Sequence, residues 1–311
     1  MKKWQKTLCL TLMCGLLGSV GSAGAVNAAD KDMAIIQSSS GRVLSVQQLA
    51  KDLAPYKAVF FGEFHDQDSL HRLELELLKE MYAIHGDRLA LSMEMFEVDN
   101  QDKLDAYLAG QLSEEDFLKT ARPWPNYSTD YKPLIEFAKA HKLPVIASNI
   151  PRFLAATMAK EGSVDSVQPQ FKPYLPQHTY APEGKYKDKF TAYMSQSEQG
   201  RMRIPTARLN QVFAAQCIKD DKMAESIYYY LEENQDKVVL HINGCFHSDG
   251  HLGTVQKLEA LNPRLHTAVI TPKDMPADKN YGAQIAGHKQ DGEYIVYFTR
   301  VNADQAPAKA Q

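Results

Sequence analysis

Cysteine is scarce in this 311-residue chain, with four in all, and two of them, Cys9 and Cys14, fall within the first thirty residues. Cys217 and Cys245 remain, too few for a disulfide framework. They can pair with each other, tying a loop to a helix, or lie buried as small hydrophobes. Positive charge is not in excess either: 35 Lys and Arg stand against 38 Asp and Glu, and nothing suggests a nucleic-acid surface. No His-Glu-x-x-His occurs, so the ready-made zinc helix is absent. The apolar run from Leu8 to Val20 is too short to span a bilayer.

That run reads as an address. Lys2, Lys3 and Lys6 precede it and Val26-Asn27-Ala28 follows with small residues, the pattern of a secretory signal cleaved near Ala28. Met13 stands where a small residue should precede a lipidated Cys14, so a soluble periplasmic or secreted protein is expected over a lipoprotein. Removing residues 1–28 takes away three lysines and no acid, moving the formal net charge from −3 to −6.

Residues 29–302 are expected to form one α/β domain, with 303–311 a disordered tail. Ala58-Val59-Phe60-Phe61, Arg88 to Glu94, Pro144 to Ala147 and Val238 to Ile242 read as strands of a mainly parallel sheet, since helical patterns alternate with them. Leu70, Leu73, Leu77, Leu78 and Met81 recur at helical spacing with Gly86 just past the end, and Ser113 with Asp116 resembles a capping box. Tyr131 to His141 and Arg208 to Glu233 read as further helices. Residues 163–205 break the pattern and form a helical or irregular insert lobe. Asp291-Gly292 before Tyr294 to Phe298 predicts a C-terminal β-hairpin.

Two copies of one motif follow strands: Gly62-Glu63-Phe64-His65 and Gly244-Cys245-Phe246-His247. Loops at the carboxyl ends of parallel strands line the ligand crevice, and a Gly at such an end allows a sharp turn. Glu63, His65, Glu94 and His247 are therefore expected to share one crevice. Imidazole and carboxylate together suit Zn or Mn, and Glu63 or Glu94 beside a metal could act as general base in a hydrolase. The plainer readings are that Glu63 caps a helix, Glu94 pairs with Arg88 or Arg152, and His71 and His251 sit on exposed first turns of helices.

These motifs, in order with Ser92-Met93-Glu94-Met95-Phe96, Ala147 to Arg152, and Gln216 with Asp220 and Met223-Ala224-Glu225, resemble the ChaN-like haem-binding uptake proteins, relatives of the Tiki metalloproteases and erythromycin esterases. The resemblance implies an exported protein of iron acquisition that binds haem, a homodimer with two haems face to face, a tyrosine on the iron, and His and Lys from the other subunit at the propionates. A haem transporter or receptor would be a further partner. The absence of Cys-x-x-Cys-His excludes the usual covalent haem attachment.

The motifs do not map the haem contacts, so candidates rest on chemistry. A phenolate suits ferric iron, and 15 tyrosines are present, most of which must be packing residues. The insert concentrates Tyr174, Tyr180 and Tyr186 with His178, Lys172, Lys185 and Lys187. Trp124, Tyr127 and Tyr131 form a second aromatic group that could cover a porphyrin face. The expected cofactor-binding set is Tyr174, Tyr180, His178, Lys185, Tyr127 and Tyr131.

Overall fold

Apolar residues alternate sides along the strand β3 (Ala58–Glu63): Val59 and Phe61 enter the larger core, while Ala58 and Phe60 enter the second core on the opposite face. A strand covered on both faces reads as an unbroken apolar run. The computed structural model describes residues 32–196 and 204–301. The expected signal segment with Cys14, the end of the insert and the tail lie outside the described residues.

The sheet has eight strands in the order β2-β1-β8-β7-β3-β6-β4-β5. These are β1 (Met33–Gln37), β2 (Val43–Leu44), β3, β4 (Leu89–Glu97), β5 (Val145–Asn149), β6 (Val238–Gly244), β7 (Thr267–Asp274) and β8 (Tyr294–Phe298). From β8 across to β5 every pairing is parallel, and β1 and β2 add antiparallel strands at one edge. The expected α/β class and mainly parallel sheet are therefore present. The C-terminal hairpin is not: a helix (Tyr281–His288) separates β7 from β8, and the two strands run parallel. Asp291-Gly292 turns the chain out of that helix, because a two-residue turn signal reports a local bend and not what lies on either side of it.

One face of the sheet is covered by α1 (Val46–Leu53), α2 (Asp68–His85), α3 (Gln101–Leu108), α4 (Glu114–Thr120) and α5 (Lys132–His141). Leu70, Leu73, Leu77, Leu78 and Met81 form the buried stripe of α2, and Ser113 caps α4 through Asp116 N–H, as the sequence predicts. The other face carries α6 (Arg152–Glu161), the long α8 (Thr206–Glu233) and α9 (Thr254–Leu261). Within the insert, residues 169–174 form a short helix packed against α6 and α8, and α7 (Lys185–Gln196) packs Tyr186 and Phe190 on Phe213 of α8. Cys217 and Cys245 are free thiols. No helix among the described residues is long and apolar enough to cross a membrane.

Candidate functional site

β3 and β6 lie side by side at the centre of the sheet, with Glu63 opposite Gly244, so the two motif loops leave adjacent carboxyl ends together. Gly62 and Gly244 are small because the loops touch, not because the backbone turns sharply. A Cβ on Gly62 would stand 2.9 Å from Cys245 Cα, and one on Gly244 would stand 2.7 Å from His65 Nε2. Neither glycine has positive φ. Glu94 comes from within β4, where the register with β5 shifts between Met93 and Glu97. Such irregularities re-aim side chains beside functional sites. Asn149 and Ser148 of β5 hold the shifted segment through the carbonyls of Glu94 and Met93.

The loops floor a cavity of about 800 Å³ that Glu63, His65, Glu94 and His247 all line, within the size range of small-molecule sites. The four acids and histidines expected to meet are thus brought together. They are paired with one another. Glu63 Oε1 accepts from His65 Nδ1 at 2.5 Å and from the Tyr131 hydroxyl at 2.8 Å. Burial acts to raise the Glu63 pKa, but hydrogen bonds from His65 and His71 outweigh it and bring it to about 2. Glu94 accepts from Gly244 N–H at 2.7 Å and stands 3.4 Å from His247 Nε2. His247 Nδ1 donates to Asp220 at 2.6 Å. Burial works against the charged imidazole, yet Glu94 and Asp220 together raise its pKa to about 10. Asp220 is itself held by the hydroxyls of Tyr186 and Thr254.

Aromatic residues make up much of the rest of the crevice lining. Trp124 stacks edge-on to His65, with centroids 4.8 Å apart, and Arg152 lies over its ring. Phe246, Phe190 and Tyr193 also line the crevice, the last two carried by α7 and both in ring contact with Phe246. Tyr193 is 61% exposed. Arg152 and Lys219 supply positive charge to the lining.

The tyrosines singled out from sequence lie elsewhere. Tyr127 and Tyr131 are core residues, Tyr131 holding Glu63 from below and Tyr127 enclosed with Phe96 and Phe117. Tyr174 packs against the α6 and α8 cluster. Tyr180 lies under Lys257, and the backbone N–H groups of His178 and Tyr180 are held by Glu225 and Asp221 of α8. Lys185 is exposed at the start of α7. None of these six lines the crevice. Tyr193 falls inside the predicted insert, and its seven-residue spacing from Tyr186 along one helix was the available signal. His71, expected on an exposed turn, is buried against Glu63 and Glu74. Glu94 pairs with His247, and Arg152 lies 3.8 Å from Glu97 instead.

A profile of the haem-binding uptake family of the Tiki superfamily, ChaN, matches residues 49–258. The chain belongs to this family. Its fold is similar to that of ChaN of Campylobacter jejuni, solved in a study of cofacial haem binding, with 14% identity over 88% of this chain and 99% of that one and a TM-score of 0.68. An erythromycin esterase variant in its open conformation is more distant, at 12% identity over 75% of this chain and 74% of that one, with a TM-score of 0.45. No curated protein sequence gives a significant match.

Proposed function

From that family membership, we propose that this is an exported protein of haem acquisition that holds haem non-covalently in the crevice, with Tyr193 as iron ligand and the site completed by a homodimer. The observation that carries it is the exposed Tyr193 phenol on an aromatic wall, facing a crevice that also holds Trp124, Arg152 and Lys219. A porphyrin needs aromatic cover, an axial donor and cations for its propionates, and the lining contains each. Bound haem would supply a ferric iron for the phenolate. Tyr193 would ligate it, Trp124 and Phe246 would cover the ring, and Arg152 and Lys219 would meet the propionates. An open slot on one protomer leaves one haem face to water, and a two-fold partner would cover it. Haem binding to ChaN of Campylobacter jejuni is cofacial, which agrees with two such slots meeting. The signal-like segment 1–28 supports export, and a transporter or receptor would then take the haem onward.

The test is hemin titration followed by absorption and by sizing in solution. Wild type should show a saturable spectral shift and dimerise as haem is added, because haem binding the dimer better drives assembly. Tyr193→Phe should shift the spectrum and weaken binding at least about tenfold, about 1.4 kcal/mol. Tyr174→Phe and Tyr180→Phe should behave as wild type. If hemin produces neither a saturable spectrum nor a change of mass, the haem reading fails. A metal-dependent hydrolase using Glu63, His65, Glu94 and His247 then becomes the better account.

A further inference from the structure

Beneath the crevice floor, a second cluster of ligating groups shares only Glu63 with the site above. We propose that Glu63, His71 and Glu74 bind one divalent cation, zinc or manganese, in the interior between β3 and α2. Their donor atoms lie within 4.8 Å of one another, and the three side chains are 0%, 4% and 0% exposed. The sequence places them there by two periodicities. His71 and Glu74 are three apart on α2 and fall on its buried stripe with Leu70, Leu73 and Leu77, while Glu63 ends the strand that this stripe covers.

The hydrogen-bond directions set out what the cluster can hold. His71 Nε2 faces the carbonyl oxygen of His65 at 3.4 Å and Asp130 Oδ2 at 3.7 Å. A carbonyl can only accept, so Nε2 carries the proton. His71 Nδ1 faces Glu63 Oε2 at 2.9 Å and Glu74 Oε2 at 3.3 Å; it holds them with a second proton or, as the neutral imidazole, turns its lone pair to an ion between them. Nδ1 and the two carboxylate oxygens together make a set of three ligand atoms. Glu63 Oε1 is already served by His65 and Tyr131, which leaves Oε2 for an ion. Glu74 Oε1, wholly buried, has no hydrogen-bond partner, and a buried carboxylate oxygen left so is costly.

A proton on His71 would neutralise one carboxylate; a divalent ion neutralises both. One imidazole nitrogen with two carboxylate oxygens suits zinc or manganese and not a soft-metal site. The far nitrogen of His71, backed by Asp130 and the His65 carbonyl, has the outer partners that orient metal-bound histidines. The ion would clamp α2 to the strand end that carries the first motif loop. This inference does not depend on haem.

Because the cluster is enclosed, metal should load during refolding. The full chain is refolded with Zn²⁺ alone, with Mn²⁺ alone, or with chelator, then dialysed and assayed by elemental analysis and melting. Wild type should retain stoichiometric metal and melt about 5 °C above the stripped form, since binding the folded state alone stabilises it. Glu74→Gln, which keeps the side chain's shape, should retain none, and its melting should ignore the ion. His247→Gln should keep the metal, and Glu74→Gln should still bind hemin, which separates this site from the crevice. Should Glu74→Gln not fold, Mn²⁺-loaded wild type answers the question by electron paramagnetic resonance: coupling to a single imidazole nitrogen is expected. Wild type that retains neither ion, retention that follows His247 instead of Glu74, or coupling to two imidazoles would each overturn the proposal.

Discussion

The histidine of the first Gly-x-Phe-His loop has a side chain 40% exposed, whereas its counterpart in the second is 7% exposed. The same three letters therefore deliver opposite environments. In the first loop the partner acid is a neighbour in the motif, Glu63, and the ring projects beside Trp124 into the crevice. In the second loop position two is Cys245, and the acids come from behind and beside, Asp220 of α8 and Glu94 of β4. A histidine held by its own loop stays available to a ligand. One gripped by two buried carboxylates becomes a fixed cation of the floor, and the motif alone does not distinguish them.

The sharpest way to break this contrast is to remove each histidine. His247→Ala strands Glu94 and Asp220 in the interior, and leaving buried charge uncompensated costs about 4 kcal/mol. His65→Ala leaves Glu63 with His71 and Tyr131 and should cost about 1 kcal/mol. Urea unfolding of the two variants measures the difference. Equal losses would mean that the two loops are equivalent after all.

The motif glycines extend the contrast at smaller scale. A Cβ on Gly62 meets the backbone Cα of Cys245, whereas one on Gly244 meets the tip of the half-exposed His65 ring. Backbone cannot swing aside and an exposed ring can. Gly62→Ala should therefore lose about 2–3 kcal/mol as an overpacked core site does, and Gly244→Ala only about 1 kcal/mol. The second variant should fold while displacing His65, visible as a changed hemin spectrum. A Gly244→Ala protein less stable than Gly62→Ala would show that the His65 ring has no room to move.

What could be read in the chain divides along the same line. Elements whose signal is local and repeated were legible: the strands at both motifs, the apolar stripe of α2, the Ser113 cap and the parallel order. The convergence of Glu63, His65, Glu94 and His247 followed from that order. Features set by what packs on top were not. His71 sits one turn into α2, where exposure is the usual expectation, yet it shares a face with Leu70 and Leu73. Tyr127 and Tyr131 carry the same aromatic signal as Tyr193, and only the third dimension separates a phenol enclosed by phenylalanines from one on a crevice wall. Asp291-Gly292 specified a bend without saying that β8 would return parallel to β7.

The smallest effect concerns a clamp four residues beyond His247. His251 bridges Glu259 at 3.3 Å and Glu293 at 3.1 Å, tying the second loop's exit to α9 and to the start of β8. The first loop has no such outer histidine; His71, its nearest analogue, is buried. The hydrogen bonds that His251 donates to Glu259 and Glu293 hold its pKa up at about 10, against the opposing effect of burial, while an unfolded histidine titrates near about 6.5. A pKa raised on folding stabilises fully below the unfolded value and less as pH climbs through the folded one. The clamp's contribution should thus be complete below pH of about 6.5 and gone above about 10. With the ring 30% exposed, solvent screening keeps it below about 1 kcal/mol. His251 has φ +55°, a backbone angle that asparagine tolerates, so His251→Asn removes the charge without straining the chain. The gap in melting temperature between wild type and His251→Asn should be widest near pH 6 and close toward alkaline pH. A gap that stays constant across the range would show that the residue acts there through packing, and that the second loop owes its rigidity to His247 and Asp220 alone.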